Sequence, residues 1–261
     1  MNKKIYVDKF SGKGDVVVLV HGLGGTSNTW YPQAQVLQKQ FRPVAYDLDG
    51  SGRTGVTGEI KIESHVNDLL TVIDDVSPDA KVHLAGHSLG SIVCQHFATK
   101  YPDRLASLVL AGAFPQPPEG ARSVLRDRAS KARAEGMGGI ADAIVIGGTS
   151  ADVKANQPAA IAFVRESVLG QPPDGYARNC EALALATAAD LSGLKVPTLL
   201  ITGDEDKTAP QDVGRALASA ISGAEFHLIT ACGHWVTIER AKQVNYLMTL
   251  FYTRLLRDKT G

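Results

Sequence analysis

Ser88 stands in "AGHSLGS" (85–91), where Gly86-His87-Ser88-Leu89-Gly90 fits the spacing G-x-S-x-G. The run before it, "KVHLAG" (81–86), is strand-like, and "SIVCQHFATKY" (91–101) after it has helical character. A serine on such a strand-to-helix turn sits in strained backbone with its Oγ raised above the sheet. Small residues two before and two after let strand and helix close on each other. The start of the helix aims N–H groups and the positive end of its dipole at the same point. The chemistry this implies is nucleophilic attack by Ser88 on a carbonyl; the alternative is a plain glycine-rich turn.

Acyl transfer also needs two N–H donors where negative charge develops. In an enzyme with a serine elbow one donor is the residue after the nucleophile, here Leu89. The other comes from the loop after an earlier strand, and in "VVVLVHGLGGTSNTW" Leu23 follows His21-Gly22 at that place. A phosphate-cradling loop is the rival reading of "HGLGG", but the P-loop lysine and the G-x-G-x-x-G spacing are both absent. His21 is expected to shape this loop. Of seven histidines, His83 and His227 fall within strands, His65 and His96 within helices, and His21 and His87 within the two motifs. His234, in "TACGHWVTIER" just after the last strand, is left as the general base. Gly22, Gly24, His87 and Trp235, which flank these groups, are the candidates for lining a substrate site. Cys94 and Cys232 read as buried structural thiols.

A catalytic histidine needs a carboxylate at its far nitrogen. "ITGDEDKTAP" (201–210) follows an apolar run and offers Asp204, Glu205 and Asp206. Adjacent residues in a turn point apart and no further ligands accompany them, so a metal site is not expected. Spacing alone leaves open which of the three serves. A serine, histidine and acid working together need neither metal nor organic cofactor, and none is expected.

The elements that must position these groups are legible as hydrophobic runs. "DVVVLV" (15–20), "RPVAYDL" (42–48), "KVHLAG" (81–86), "LASLVLAG" (105–112), "VPTLLITG" (196–203) and "AEFHLIT" (224–230) are strand-sized and nearly continuously apolar, as in a sheet covered on both faces. Amphipathic stretches such as "ESHVNDLLTVIDDV" (63–76) and "AKQVNYLMTLFYTRLLR" (241–257) alternate with them, which predicts a doubly wound, mostly parallel α/β sheet. Residues 115–194 break the rhythm with helix-like segments and one strand candidate, "AIVIGG" (143–148). An interval of about 80 residues is too long for an ordinary connection. It predicts a helical cap over a core formed by 1–114 and 195–261. Within it, "RSVLRDRASKARAEG" (122–136) carries five basic residues, either a solvated helix face or an anion-steering patch over a pocket.

Lys+Arg and Asp+Glu are both 27, so the formal charge is zero and no nucleic-acid partner is indicated. No apolar run is long enough to span a bilayer, and the positive start lacks an apolar stretch after it. Three widely spaced cysteines suggest no disulfide framework. These features read as a soluble protein of a reducing cytoplasm, with oligomeric state left open.

"VHGLGG", "YDLDGSGRT", "GHSLGS", "YPDRLASLVLAGA", "VPTLLITGDEDKTAP" and "CGHW" together resemble the α/β-hydrolase superfamily over nearly the whole chain. The resemblance implies an eight-stranded core with the cap between the sixth and seventh strands. Superfamily members most often read G-x-x-D-x-x-x-P after the acid strand. Gly203 and Pro210 bracket Asp206 in that spacing, with Asp204 as the fallback and Asp204 and Glu205 otherwise exposed turn residues. Within the superfamily the chain looks most like the 3-oxoadipate enol-lactonase group and its esterase relatives. It departs from them in three places: His21-Gly22 stands where Asn-Ser is frequent, Asp47-Leu48-Asp49-Gly50-Ser51-Gly52-Arg53-Thr54 lacks the arginine of D-x-R-G-x-G-x-S, and Ser91 stands where a glycine is common. "CGHW" also resembles hydrolases that cleave carbon–carbon bonds of aromatic ring-fission products, which usually have Asn at the position of His87. Relatives acting on halides or epoxides use an aspartate where Ser88 stands. The expected function is therefore hydrolysis of a small-molecule ester or lactone, largely apolar or neutral. Carbon–carbon bond hydrolysis is the second reading, and a ligand-binding receptor on the same fold the third.

Overall fold

The computed structural model describes residues 4–258. Its sheet has seven strands: β1 (Val7–Lys9), β2 (Val16–Val20), β3 (Arg42–Tyr46), β4 (Val82–His87), β5 (Leu105–Ala111), β6 (Thr198–Gly203) and β7 (Glu225–Ile229). They lie in the order β1-β3-β2-β4-β5-β6-β7. Only β1 runs antiparallel, pairing Val7 with Tyr46 and Lys9 with Val44; all other pairings are parallel. All six strands read from the sequence are present. The three-residue β1, too short for a periodic signal, was not among them.

The expected eighth strand is absent among the described residues. Residues 10–15 between β1 and β2 are too few for another strand with its turn, so the chain passes from the edge directly into the sheet. The long insertion accordingly enters between the fifth and sixth of these strands, rather than the sixth and seventh.

Why the strands look continuously apolar is plain from the two cores. Successive side chains point to opposite faces, and both faces are covered. Val16, Val18 and Val20 join Leu84, Leu108, Leu110 and Leu200 on one face. Val17 and Leu19 join Ala85, Val109, Leu199 and Ile201 on the other. The second face packs on α1 (Tyr31–Leu37), through Ala34 and Leu37. The first is covered by α2 (Ile62–Val76) and α3 (Leu89–Lys100), with Leu69, Ile73, Ile92 and Phe97 fully buried.

Between β5 and β6 come α4 (Glu119–Glu135), α5 (Gly138–Gly148), α6 (Ala151–Asn156), α7 (Pro158–Leu169) and α8 (Pro173–Ala184). The strand candidate "AIVIGG" lies within α5, which packs on α7 instead of reaching a sheet edge. Its β-branched residues are outweighed by a setting with no strand to pair with. After β6 follow α9 (Gln211–Ser219), the one-turn α10 (Val236–Glu239) and the terminal α11 (Ala241–Asp258), whose Val244, Met248, Phe251 and Tyr252 complete the second face.

Leu84 is fully buried in the central strand. Leu84→Ala removes its packing and leaves a cavity, and is expected to cost about 2–5 kcal/mol, read as a lowered midpoint in denaturant unfolding with an unchanged slope.

Candidate active site

The residues singled out in the sequence converge at the ends of β2, β4, β6 and β7. Ser88 lies between β4 and α3 with φ 53° and ψ −118°. It and Ala231, in the loop that carries His234, are the two non-glycine residues with positive φ among those described. Such strain persists only where the surroundings impose it. Here they do: a Cβ on Gly90 would lie 2.3 Å from the Val20 carbonyl oxygen and 2.5 Å from that of His21. One on Gly86 would lie 2.4 Å from the Gly90 oxygen. Ser91, where a glycine is common in relatives, is accommodated by donating its hydroxyl to the Ser88 carbonyl at 2.6 Å.

Ser88 Oγ donates to His234 Nε2 at 2.8 Å, and His234 Nδ1 donates to Asp206 Oδ2 at 2.8 Å. An ionised carboxylate only accepts, which fixes the proton on Nδ1 and leaves Nε2 as acceptor. Asp206 Oδ1 takes the N–H groups of Thr208 and Ala209, each at 2.8 Å. Burial raises the pKa of Asp206, but His234 and these N–H bonds outweigh it and hold the carboxyl below its ordinary range. The other two acids are exposed turn residues, as expected, and each also fastens a loop: Asp204 accepts from Cys232 N–H at 3.1 Å and Glu205 from Ala151 N–H at 2.8 Å.

Among the described residues, the N–H groups of Leu23 and Leu89 have no hydrogen-bond partner. His21 shapes their loop as expected: its Nε2 accepts from Leu48 N–H at 2.9 Å and its Nδ1 donates to Gly22 O at 2.8 Å. Burial lowers its pKa and keeps it neutral. In the motif that lacks the arginine, Asp47 accepts from Ser27 N–H, Arg53 N–H and Arg53 Nε, so Arg53 anchors the buried carboxylate that braces this loop.

Ser88 and His234 open into a cavity of about 320 Å³ whose walls include Leu23, His87, Phe114, Leu125, Ile144 and Trp235. His87 and Trp235 thus line it. Gly22 and Gly24 do not: Gly22 packs on Ser88 and His87, and the Gly24 carbonyl accepts from Ser167 Oγ on α7 at 2.9 Å. At both positions a side-chain carbon would crowd its neighbours, Ser88 and His87 at Gly22 and Val168 at Gly24, so the loop approaches them closely. Of the inserted apolar residues Ile144 faces the cavity, while Met137, Ile140, Val164 and Tyr176 are packed in the core and Ile146 is exposed. A more open depression of about 500 Å³, lined by Lys61, His96 and Leu185, lies away from Ser88. Among the described residues no cluster of His, Cys, Asp or Glu is placed to hold a metal ion. Cys94 and Cys232 are buried, and burial pushes both thiols upward, so neither is a ready nucleophile.

Glu239 was not read from the sequence. Buried at the end of α10, it accepts from Gly233 N–H and Ser150 N–H at 2.9 Å and from Trp235 N–H at 3.1 Å. It therefore grips the backbone on both sides of His234 and ties it to the segment between α5 and α6. His234 N–H adds a bond to Gly148 O at 2.8 Å. The available signal was an acid reaching back to the N–H of a helix's first residues, a relative of the capping box. Glu239→Ala orphans all three donors, at about 1–3 kcal/mol each; a strongly lowered thermal midpoint is expected, checked by calorimetry.

His87 Nε2 donates to His234 O at 2.8 Å. Burial, then the neighbouring His234, lowers its pKa to about 3. The unfolded chain binds a proton here near pH 6.5 while the folded chain does not, so stability falls as pH drops from 6.5 toward 3. The slope reaches about 1.4 kcal/mol per pH unit. His87→Gln is expected to flatten this limb in denaturant titrations between pH 4 and 7.

Residues 17–245 match the model of the alpha/beta hydrolase family. A thermophilic esterase from Thermogutta terrifontis, solved with malate bound, superposes with a TM-score of 0.91 at 29% identity, over 96% of this chain and 93% of that one. The enol-lactonase from Burkholderia xenovorans gives 0.90 at 31% identity, over 96% and 97%. Among curated relatives, a 2-hydroxy-6-oxononadienedioate/2-hydroxy-6-oxononatrienedioate hydrolase of Escherichia coli is 27% identical over 93% of this chain and 89% of its own length. With its parallel sheet, its serine turn and a family match over most of its length, the chain belongs to the alpha/beta hydrolase family.

Proposed function

We propose that the protein is a serine hydrolase that cleaves carboxylic esters or lactones through an acyl-enzyme. The observation that carries this reading is the hydrogen-bonded series Ser88, His234, Asp206 opening into a cavity. Likeness to an esterase and an enol-lactonase supports it. Residues 115–194 act as a cap over the core of 1–114 and 195–261. Three unpaired, buried thiols accord with a reducing cytoplasm.

His234 Nε2 takes the proton of Ser88 as Oγ attacks the substrate carbonyl carbon. The imidazolium that forms is stabilised by Asp206, which stays ionised. The N–H groups of Leu23 and Leu89 hold the oxyanion. As the tetrahedral intermediate collapses, the bond to the leaving oxygen breaks and His234 gives that oxygen its proton. Water then attacks the acyl-enzyme with His234 again as base, releasing the acid and restoring Ser88. His87, neutral and bound to the His234 carbonyl, keeps the loop in place throughout.

The second reading is hydrolysis of a carbon–carbon bond beside a ketone, favoured by likeness to the E. coli hydrolase. A screen over short activated esters, lactones and ring-fission dienoates separates the two, since much faster turnover of dienoates would favour the second. Ser88→Ala is expected to lower kcat by about 10,000-fold or more. Asp206→Asn should lose about 10,000-fold, while Asp204→Asn stays within tenfold of wild type. No ester turnover, together with no labelling of Ser88 by a phosphonate probe, would overturn the enzyme reading in favour of a receptor.

A further inference from the structure

We propose that Glu239 is a positioning residue for the general base, setting His234 through the two N–H groups that flank it. The inference rests on the serine-hydrolase reading above and adds a residue to that site which touches neither substrate nor the reacting atoms.

The loop that carries His234 lies between β7 and α10 and has no regular structure to satisfy its backbone. The chain turns at Ala231, with φ 51°, and each of the next four N–H groups is taken by an acceptor from elsewhere in the chain. Cys232 N–H goes to Asp204 at 3.1 Å and His234 N–H to Gly148 O at 2.8 Å. Gly233 N–H goes to Glu239 Oε2 at 2.9 Å and Trp235 N–H to Glu239 Oε1 at 3.1 Å. One carboxylate therefore holds the residues on either side of the base. Oε2 also accepts Ser150 N–H at 2.9 Å, so the inserted segment closes the far side of the acid. Glu239 is 2% exposed, and water does not compete for these bonds.

The acid is itself held from the core. Val236, at the start of the one-turn α10, packs into the second face of the sheet. Gln33 of α1, fully buried, donates its Nε2 to Thr237 O at 3.0 Å. Arg240 donates to the Glu239 carbonyl at 3.1 Å, and it also binds Ala231 O at the turn and Asp152 of α6. The line of support runs from α1 through α10 to the Glu239 carboxylate and then to the His234 backbone. What it protects is narrow. The ring must reach Ser88 Oγ and Asp206 Oδ2 together, each at 2.8 Å. Such bonds weaken beyond about 3.2 Å, so a small displacement of the backbone lengthens one or both. A misplacement of about 1 Å at a reacting group can cost about 100-fold in rate.

Glu239→Gln tests this. The amide keeps the shape of the side chain but has one accepting oxygen, so an N–H beside His234 is left facing the amide nitrogen. With 4-nitrophenyl acetate, well below the unfolding midpoint, kcat is expected to fall about 10- to 100-fold while KM stays within about threefold. Leu84→Ala, destabilised without touching this loop, should keep kcat within about threefold. The low-field proton NMR signal of His234 Nδ1–H reads the base without turnover, and in Glu239→Gln it should shift or broaden. Gln33→Met frees α10 while leaving the acid, and should lower kcat by about 3- to 10-fold. Hydrolysis by wild type, lost in Ser88→Ala, scores the hydrolase reading by itself. A folded Glu239→Gln with wild-type kcat and an unmoved His234 signal would overturn the inference while leaving that reading intact. Should that variant not fold, wild-type kcat in Gln33→Met would do the same.

Discussion

The closeness of Gly90 to the end of β2 is the constraint on which the site depends. The backbone of α3 meets the carbonyls of Val20 and His21 with no room for a side-chain carbon. That approach places the helix start, the strained Ser88 turn and the loop bearing Leu23 in one small volume. The N–H groups of Leu23 and Leu89, which lie on separate segments, are brought near each other because those segments touch through a glycine. Hydrophobic burial on both faces of the sheet supplies the energy that holds Ser88 at positive φ.

A second set of bonds joins the inserted helices to this frame, and much of it uses buried polar side chains on backbone groups. Glu239 and Gly148 hold the His234 loop against the segment after α5. Gln171 donates to Ser167 O and to Gly25 O on the loop after β2, and Asn179 joins His65 of α2 to the Asp49 carbonyl. The insertion is therefore fastened to the His234 loop and to the loop after β2, and a shift of its helices would be transmitted to both through short, directional bonds. Glu205 contributes in the same way from the acid loop, through Ala151.

The legible parts of this molecule are those in which a local pattern has one physical cause. Continuous apolar strands mean a sheet buried on both faces, and the six such strands were found; glycines around Ser88 mean a tight turn, and it is tight. What stayed hidden depends on residues far apart in sequence. β1 exists because Val7–Lys9 finds Val44–Tyr46 beside it, not because three residues carry a signal. "AIVIGG" has strand composition but no open edge to join, so it is helical. Asp204 and Glu205 are the exposed turn acids they look like, but the loops they also hold appear only when distant segments are placed next to them. Glu239 and Arg53 are ordinary charges in the sequence, and their partners make them braces.

Charge shows the same limit most clearly. Equal numbers of acidic and basic residues say only that the far field of the protein is weak. They say nothing about a cavity, where a few groups at short range and in reduced dielectric decide the potential. The cationic groups of α4 differ in whether a neighbour neutralises them: Arg133 is paired with acids of α8, whereas Arg128 faces a lining without acids. Meanwhile burial keeps His87 neutral beside Ser88 and His234 in the cavity lining. A cation at one wall and a neutral imidazole near the serine give the cavity a direction.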